Sequence, residues 1–227
     1  MNTPTTITEI NLANHCYNAI HRLIINGTLK PGKKLKMKEL TTLLETGPSP
    51  IREALSRLTA SGLVQAHDNK GFYVTQISEN NIRDIYHTFL DIELLALKHA
   101  IKNGDDTWKA SIVAALYRLS LVENDQNNSS LEQWIEQNYE FHLALISGCN
   151  SPTLLHIRNT LYHQFDRYCR ISFTFIHKQL NHNHEEHQKL TDAVLNRNEK
   201  KALEILTHHI LNPLTEVISI LKKNNLF

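Results

Sequence analysis

The stretch LKMKELTTLLETGPSPIREALSRLTASGLVQAHDNKGFYV, residues 35–74, carries two short helical patterns, a turn and two strand patterns in the order of a winged helix-turn-helix. Leu40, Leu43 and Leu44 recur at helical spacing, and so do Ile51, Ala54, Leu55 and Leu58, with a turn over 45–48 between them. Ser49 is expected to cap the second helix through its hydroxyl. Pro50 suits the first helical position, because the amide hydrogen it lacks would be unpaired there. Gly62 fits the left-handed position that closes this helix. Residues 63–66 and 72–77 then read as strands around Asp68-Asn69-Lys70-Gly71, a hairpin that forms the wing. Upstream, Leu12, Cys16, Ala19, Ile20, Leu23 and Ile24 predict a further helix that stops at Gly27.

With Ile51, Ala54, Leu55 and Leu58 turned inward, Arg52, Glu53, Ser56 and Arg57 share the other face, near the amino end that enters a major groove in this motif. Arg52 is the strongest contact candidate. An arginine paired bidentately with guanine contributes about 1–3 kcal/mol of discrimination, whereas a phosphate contact mainly fixes register. The alternative is an ordinary solvated helix face.

Pro31-Gly32, the run Ser49-Pro50-Ile51-Arg52-Glu53-Ala54-Leu55, Ser61-Gly62-Leu63-Val64 and Lys70-Gly71 together resemble the GntR family of bacterial regulators. The resemblance implies DNA contacts from Arg52, from Lys38 in the preceding helix and from Gly71 at the wing tip. The candidate DNA-binding set is therefore Lys38, Ser49, Arg52, Ser56, Arg57, Lys70 and Gly71. The family often has an arginine just before the Ser/Thr-Pro, where this chain has Pro48, so the operator sequence does not carry over.

Charge agrees with this placement. Up to Ser78 there are nine Lys and Arg against five Asp and Glu, and beyond it fifteen against eighteen, so the basic part is the expected DNA reader. The overall charge of +1 would by itself point to no partner. Hydrophobic residues make up 41% of the 227, enough for a core, and no apolar run approaches the roughly 20 residues that span a bilayer. MNTPTTITEI lacks a basic start followed by an apolar block, so the expected location is cytoplasmic. Cys16, Cys149 and Cys169 are widely separated and unpaired in spacing, and read as small hydrophobes.

Beyond Ser78 long helical patterns take over, at 80–102, 106–125, 131–147, 152–179, 183–196 and 199–223. The expected fold is mainly α: an N-terminal winged helix-turn-helix over 1–78, then an all-α antiparallel helical bundle over 79–227, with 78–81 as linker. Ile82, Ile85, Phe89 and Ile92 suit either a core or an interface.

Asn138 and His142 lie four apart and so share a helix face, while His187 and His209 belong to the following two helices. Three imidazoles and an amide oxygen could hold a divalent ion, with a position left for water or a ligand carboxylate. With 14 histidines in the chain, solvated or core imidazoles remain an alternative, and His182 and His184 compete for the ligand role.

The Asn138-Tyr139-Glu140-Phe141-His142 segment, the Ser147-Gly148-Cys149-Asn150 turn and Glu186-His187 resemble the FadR-type subfamily with an FCD effector domain. That resemblance implies an FCD-like bundle, a metal held by Asn138, His142, His187 and His209, and a small organic acid effector. Zinc, nickel or manganese would each suit the ligands, and the metal serves no reaction. The family often carries an arginine four residues before the Glu of an LE-like pair; here that pair is Ile92-Glu93 and the earlier residue is Phe89, so a common anion clamp is absent. Arg167 and Arg170 are candidate effector contacts, since a guanidinium fork suits a carboxylate.

The expected assembly is a homodimer on a partly symmetric double-stranded operator, controlled by the effector, with no membrane partner. A metal-dependent hydrolytic enzyme is a second reading, with Glu140 as a base, although no His-Glu-x-x-His, Gly-rich phosphate loop or Gly-x-Ser-x-Gly is present. A helical protein-interaction module is a third.

Overall fold

The computed structural model describes residues 7–124, 130–175 and 183–224. Its elements, in order, are α1 (Ile7–Ile25), β1 (Lys34–Leu35), α2 (Met37–Leu44), α3 (Pro48–Ala60), β2 (Val64–His67), β3 (Gly71–Val74), α4 (Glu79–Asn103), α5 (Asp106–Asn124), α6 (Leu131–Ser147), α7 (Pro152–Phe175), α8 (Asn183–Leu195), α9 (Glu199–Leu211) and α10 (Leu214–Lys223). They form two compact units. The first comprises Met1–Ile85, Thr160–Phe175 and Glu216–Phe227, and the second Tyr86–Asn159 and Ile176–Thr215.

In the first unit α1 packs on α3, and α3 on α2 and β2. Ile51, Ala54, Leu55 and Leu58 are fully buried against Cys16, Ile20 and Ile24 of α1. This is the helix-turn-helix expected from the apolar spacing. The sheet has the order β1-β3-β2, with Lys34 opposite Tyr73 and Val64 opposite Val74. β1 escapes sequence reading because two residues cannot display alternation. At the hairpin, Asn69 and Gly71 take positive φ of 58° and 89°, and the Lys70 amide donates to the His67 carbonyl at 3.0 Å.

Several local expectations are corrected. Ser49 is not the cap of α3: Gly47 takes that position without a side-chain bond, the helix starts at Pro48, and Ser49 lies in its first turn. Pro48 is itself suited to an early helical position, which moves the start back by two residues. Leu43 is 58% exposed, and the stripe of α2 that meets the core is Met37, Leu40 and Leu44. Of the expected linker 78–81, residues 79–81 form the first turn of α4, and the Ser78 hydroxyl just before it accepts from the Asn81 amide at 3.2 Å. The second strand ends at Val74, and the Thr75 hydroxyl instead donates to the Gly62 carbonyl at 2.7 Å.

The carboxyl half of α7 belongs to this first unit. There the Arg167 guanidinium donates to the Thr75 carbonyl at 2.8 Å and the Tyr168 hydroxyl to Asn81 at 2.6 Å.

In the second unit α5 packs against α6 and α8, and α8 against α9, which is the expected all-helical bundle. Trp108, Ile112, Leu119, Phe141, Leu145, Val194 and Leu206 fill its core. α6 opens with a capping box between Ser130 and Gln133. Trp108 donates its indole N–H to the Ala144 carbonyl at 3.0 Å, and its ring occupies the space a Cβ would need at Gly104 and Gly148. The single helix expected over 199–223 is two helices, α9 and α10, because Pro213 has no amide hydrogen and its ring collides with the preceding turn. Of the helix expected over 152–179, residues 176–179 lie outside the described residues, as does His182. Ile82, Ile85 and Phe89 are buried.

Candidate functional site

On α3, Arg52, Ser56 and Arg57 are exposed on the face opposite the core, and so is Ser49. Lys38 on α2 is exposed, as are Lys70 and Gly71 at the wing. A Cβ at Gly71 would meet nothing within 4 Å, so its positive φ alone favours glycine. Arg57 differs from Arg52. Its guanidinium lies 4.5 Å from the centroid of the Tyr17 ring and donates to Asn14 Oδ1 at 2.6 Å, so it is tied back to α1. The partner was illegible because it lies 43 positions away in sequence.

The histidines converge within the helical unit. His142 of α6, His187 of α8 and His209 of α9 each offer a ring nitrogen, and these atoms lie within 4.8 Å of one another. Asn138 precedes His142 by one helical turn and shares its face. Its Oδ1 is buried without a hydrogen-bond partner, and so is His187 Nε2. An orphaned polar atom of this kind is costly in a protein interior unless something binds it.

Carboxylates orient the rings. His187 Nδ1 meets Glu123 Oε1 at 3.2 Å, and His209 Nδ1 meets Glu186 Oε2 at 2.9 Å. When Nδ1–H donates to a carboxylate, Nε2 keeps the lone pair that a metal requires. Burial pushes His142 well below the ordinary imidazole range, aided by His209 and His187, and burial also lowers His187. Both rings are therefore neutral near pH 7, the state that coordinates a cation. Burial alone would raise the Glu123 carboxyl, but bonds from His187, His184 and Trp134 hold it below the usual range. The His209 bond does the same for Glu186. The residues present thus fit a divalent ion: three imidazole nitrogens, an amide oxygen and two outer carboxylates. His184, considered above as a rival ligand, is outside the triad and bonds Glu123 at 2.8 Å. Glu140 is exposed.

The arginines fall elsewhere. Arg167 is 3% exposed and bonded to Thr75, and burial lowers it to about 10. Arg170 donates to Asp166 at 2.7 Å, and both residues belong to the first unit. The guanidinium buried in the helical unit is that of Arg158, which sequence reading missed. It bonds Glu93 at 2.6 Å and lies between the Phe89 and Tyr139 rings, at 5.4 and 5.2 Å from their centroids. The one available signal was Glu93, a carboxylate inside an apolar helical stripe that has to find a cation.

The GntR domain, described as bacterial regulatory proteins of the gntR family, matches residues 12–74, and the FCD domain matches residues 84–212. The chain belongs to the gntR family of bacterial regulatory proteins, with an FCD domain following its DNA reader. It is 35% identical over 205 residues to the HTH-type transcriptional repressor GlaR of Escherichia coli (strain K12), covering 87% of this chain and 92% of that protein. It is 36% identical over 198 residues to the regulator BphR of Paraburkholderia xenovorans (strain LB400), covering 86% and 80%. The fold matches that of E. coli McbR/YncC with a TM-score of 0.73 at 23% identity, covering 94% of this chain and 98% of the other. GlaR and BphR are named as transcriptional regulators, and the chain is a DNA-binding transcriptional regulator. No helix among the described residues is long and apolar enough to cross a membrane.

Proposed function

We propose that this regulator's operator binding is controlled by a small organic acid bound at a divalent metal that His142, His187, His209 and Asn138 hold. The observation that carries the reading is the convergence of three imidazole nitrogens within 4.8 Å, beside two buried polar atoms that lack partners. A bound ion supplies a Lewis-acidic point for a carboxylate oxygen. The chain's own part is to hold neutral nitrogens in place and keep Nδ1 of His187 and His209 on carboxylates.

Lys38, Ser49, Arg52, Ser56, Arg57, Lys70 and Gly71 are the proposed DNA contacts, Arg52 foremost, and a homodimer in the cytoplasm would set two such readers on the half-sites of one operator. To matter, an effector must favour one arrangement of the readers by about 1–3 kcal/mol.

Elemental analysis of purified protein tests the metal: His142→Ala and His209→Ala should each lower the bound metal, and wild-type stoichiometry in both would refute the ligand set. A panel of small carboxylates should raise the melting temperature of metal-loaded protein by mass action. A panel without any shift would refute the acid effector.

A further inference from the structure

Three neutral imidazoles and one neutral amide leave a divalent ion with both of its charges uncompensated. In a site whose side chains are largely shut off from water, that imbalance opposes binding. The structure places two carboxylates one bond behind the rings. Each bridges a histidine of the triad and a histidine outside it. Glu123, whose side chain is 1% exposed at the end of α5, takes His187 at 3.2 Å and His184 at 2.8 Å. Glu186, on the first turn of α8, takes His209 at 2.9 Å and His208 at 3.2 Å. The Trp134 indole N–H adds a contact to Glu123 at 3.4 Å. Burying Glu123 among imidazoles is expensive if nothing positive arrives, and both carboxylates face ligand rings.

We infer that Glu123 and Glu186 are the anionic outer layer of this centre, positioning residues that fix His187 and His209 and supply the two negative charges the ligands lack. The inference rests on the metal reading above. It also accounts for a site that works with Asn138 where a carboxylate would have served. The charge has moved outward by one hydrogen bond, and His184 and His208 anchor each carboxylate from its far side. Ligation polarises the imidazole, so the Nδ1–H bond to an anion strengthens when the ion binds.

The test uses the full-length apo protein, titrated with zinc(II) against a chromophoric chelator, with cobalt(II) absorption as a report on ligand geometry. Glu123→Gln and Glu186→Gln should each weaken zinc binding by about 10- to 100-fold while the cobalt spectrum keeps its wild-type form. Asn138→Asp placed in the Glu123→Gln protein should restore at least tenfold, because it returns a negative charge from the inner side. Both Gln variants within twofold of wild type would overturn the inference and leave the metal reading intact. Weaker binding with no recovery from Asn138→Asp would overturn the charge role. Wild-type protein that binds no zinc would sink the metal reading itself. Apo melting curves control for folding. Should Glu123→Gln fail to fold, Glu186→Gln carries the same comparison, since its side chain is 30% exposed.

Discussion

Arg158 donates through Nε to Glu93 at 2.6 Å, and the two side chains are 1% and 2% exposed. Removing one member of such a pair strands the other charge in a medium that solvates it poorly. Arg158→Met should therefore cost about 3–5 kcal/mol in urea unfolding, while Arg158→Met with Glu93→Leu should cost clearly less. Equal losses in the single and double variants would show that packing against Phe89 and Tyr139, not charge pairing, is what Arg158 provides.

Arg52 stands exposed on α3. Arg52→Ala should weaken operator binding by about 5- to 150-fold at physiological salt, in line with about 1–3 kcal/mol for a specific base contact, and leave the melting temperature unchanged. Binding curves at several salt concentrations separate the roles: a phosphate contact also reduces the salt slope by about one. Wild-type affinity in the variant would strike Arg52 from the interface.

His21 is lowered to about 4, first by burial and then by His163 and Arg170. The folded chain therefore takes up this proton less readily than the unfolded chain does, whose imidazole has the ordinary 6.5. Its contribution is complete above about pH 6.5 and is lost as pH falls toward about 4. The loss is on the order of 3 kcal/mol. His21→Gln should flatten that part of the stability profile between pH 6.5 and 4, measured by chemical unfolding. Parallel profiles for variant and wild type would contradict the burial argument.

A Cβ at Gly104 would stand 2.0 Å from the Trp108 ring, and the indole N–H is anchored on the Ala144 carbonyl. Gly104→Ala should destabilise the helical unit by about 1–3 kcal/mol through overpacking. Adding Trp108→Leu to Gly104→Ala should then cost less than Trp108→Leu alone costs the wild type. Thermal unfolding of the four proteins decides this.

Much of the reader was legible because its helices repeat every 3.6 residues and its turns use Gly62 and Gly71. Boundaries failed where two residues compete for one role, as Ser49 and Gly47 do at the start of α3. Pro213 was visible, yet the apolar rhythm runs across it and masked the break between α9 and α10. At the candidate metal site helix spacing paired Asn138 with His142 and the resemblance to FCD domains supplied His187 and His209, whereas Glu123 was not legible, since it meets His187 across 64 positions. Arg158 shows the same limit. Nothing local separates it from Arg167 and Arg170 on the same helix, and only the fold brings it to Glu93.

The Tyr17 ring under Arg57 has a consequence for how tightly a duplex is held. A loose arginine surrenders about 2 kcal/mol of rotamer entropy when it is immobilised, but this one is already stacked on α1 and tethered to Asn14. With Arg57 among the proposed DNA contacts, the reading helix arrives partly preordered, and α1 becomes a distant determinant of affinity. On that proposal a change at Tyr17 alters binding by setting Arg57 adrift.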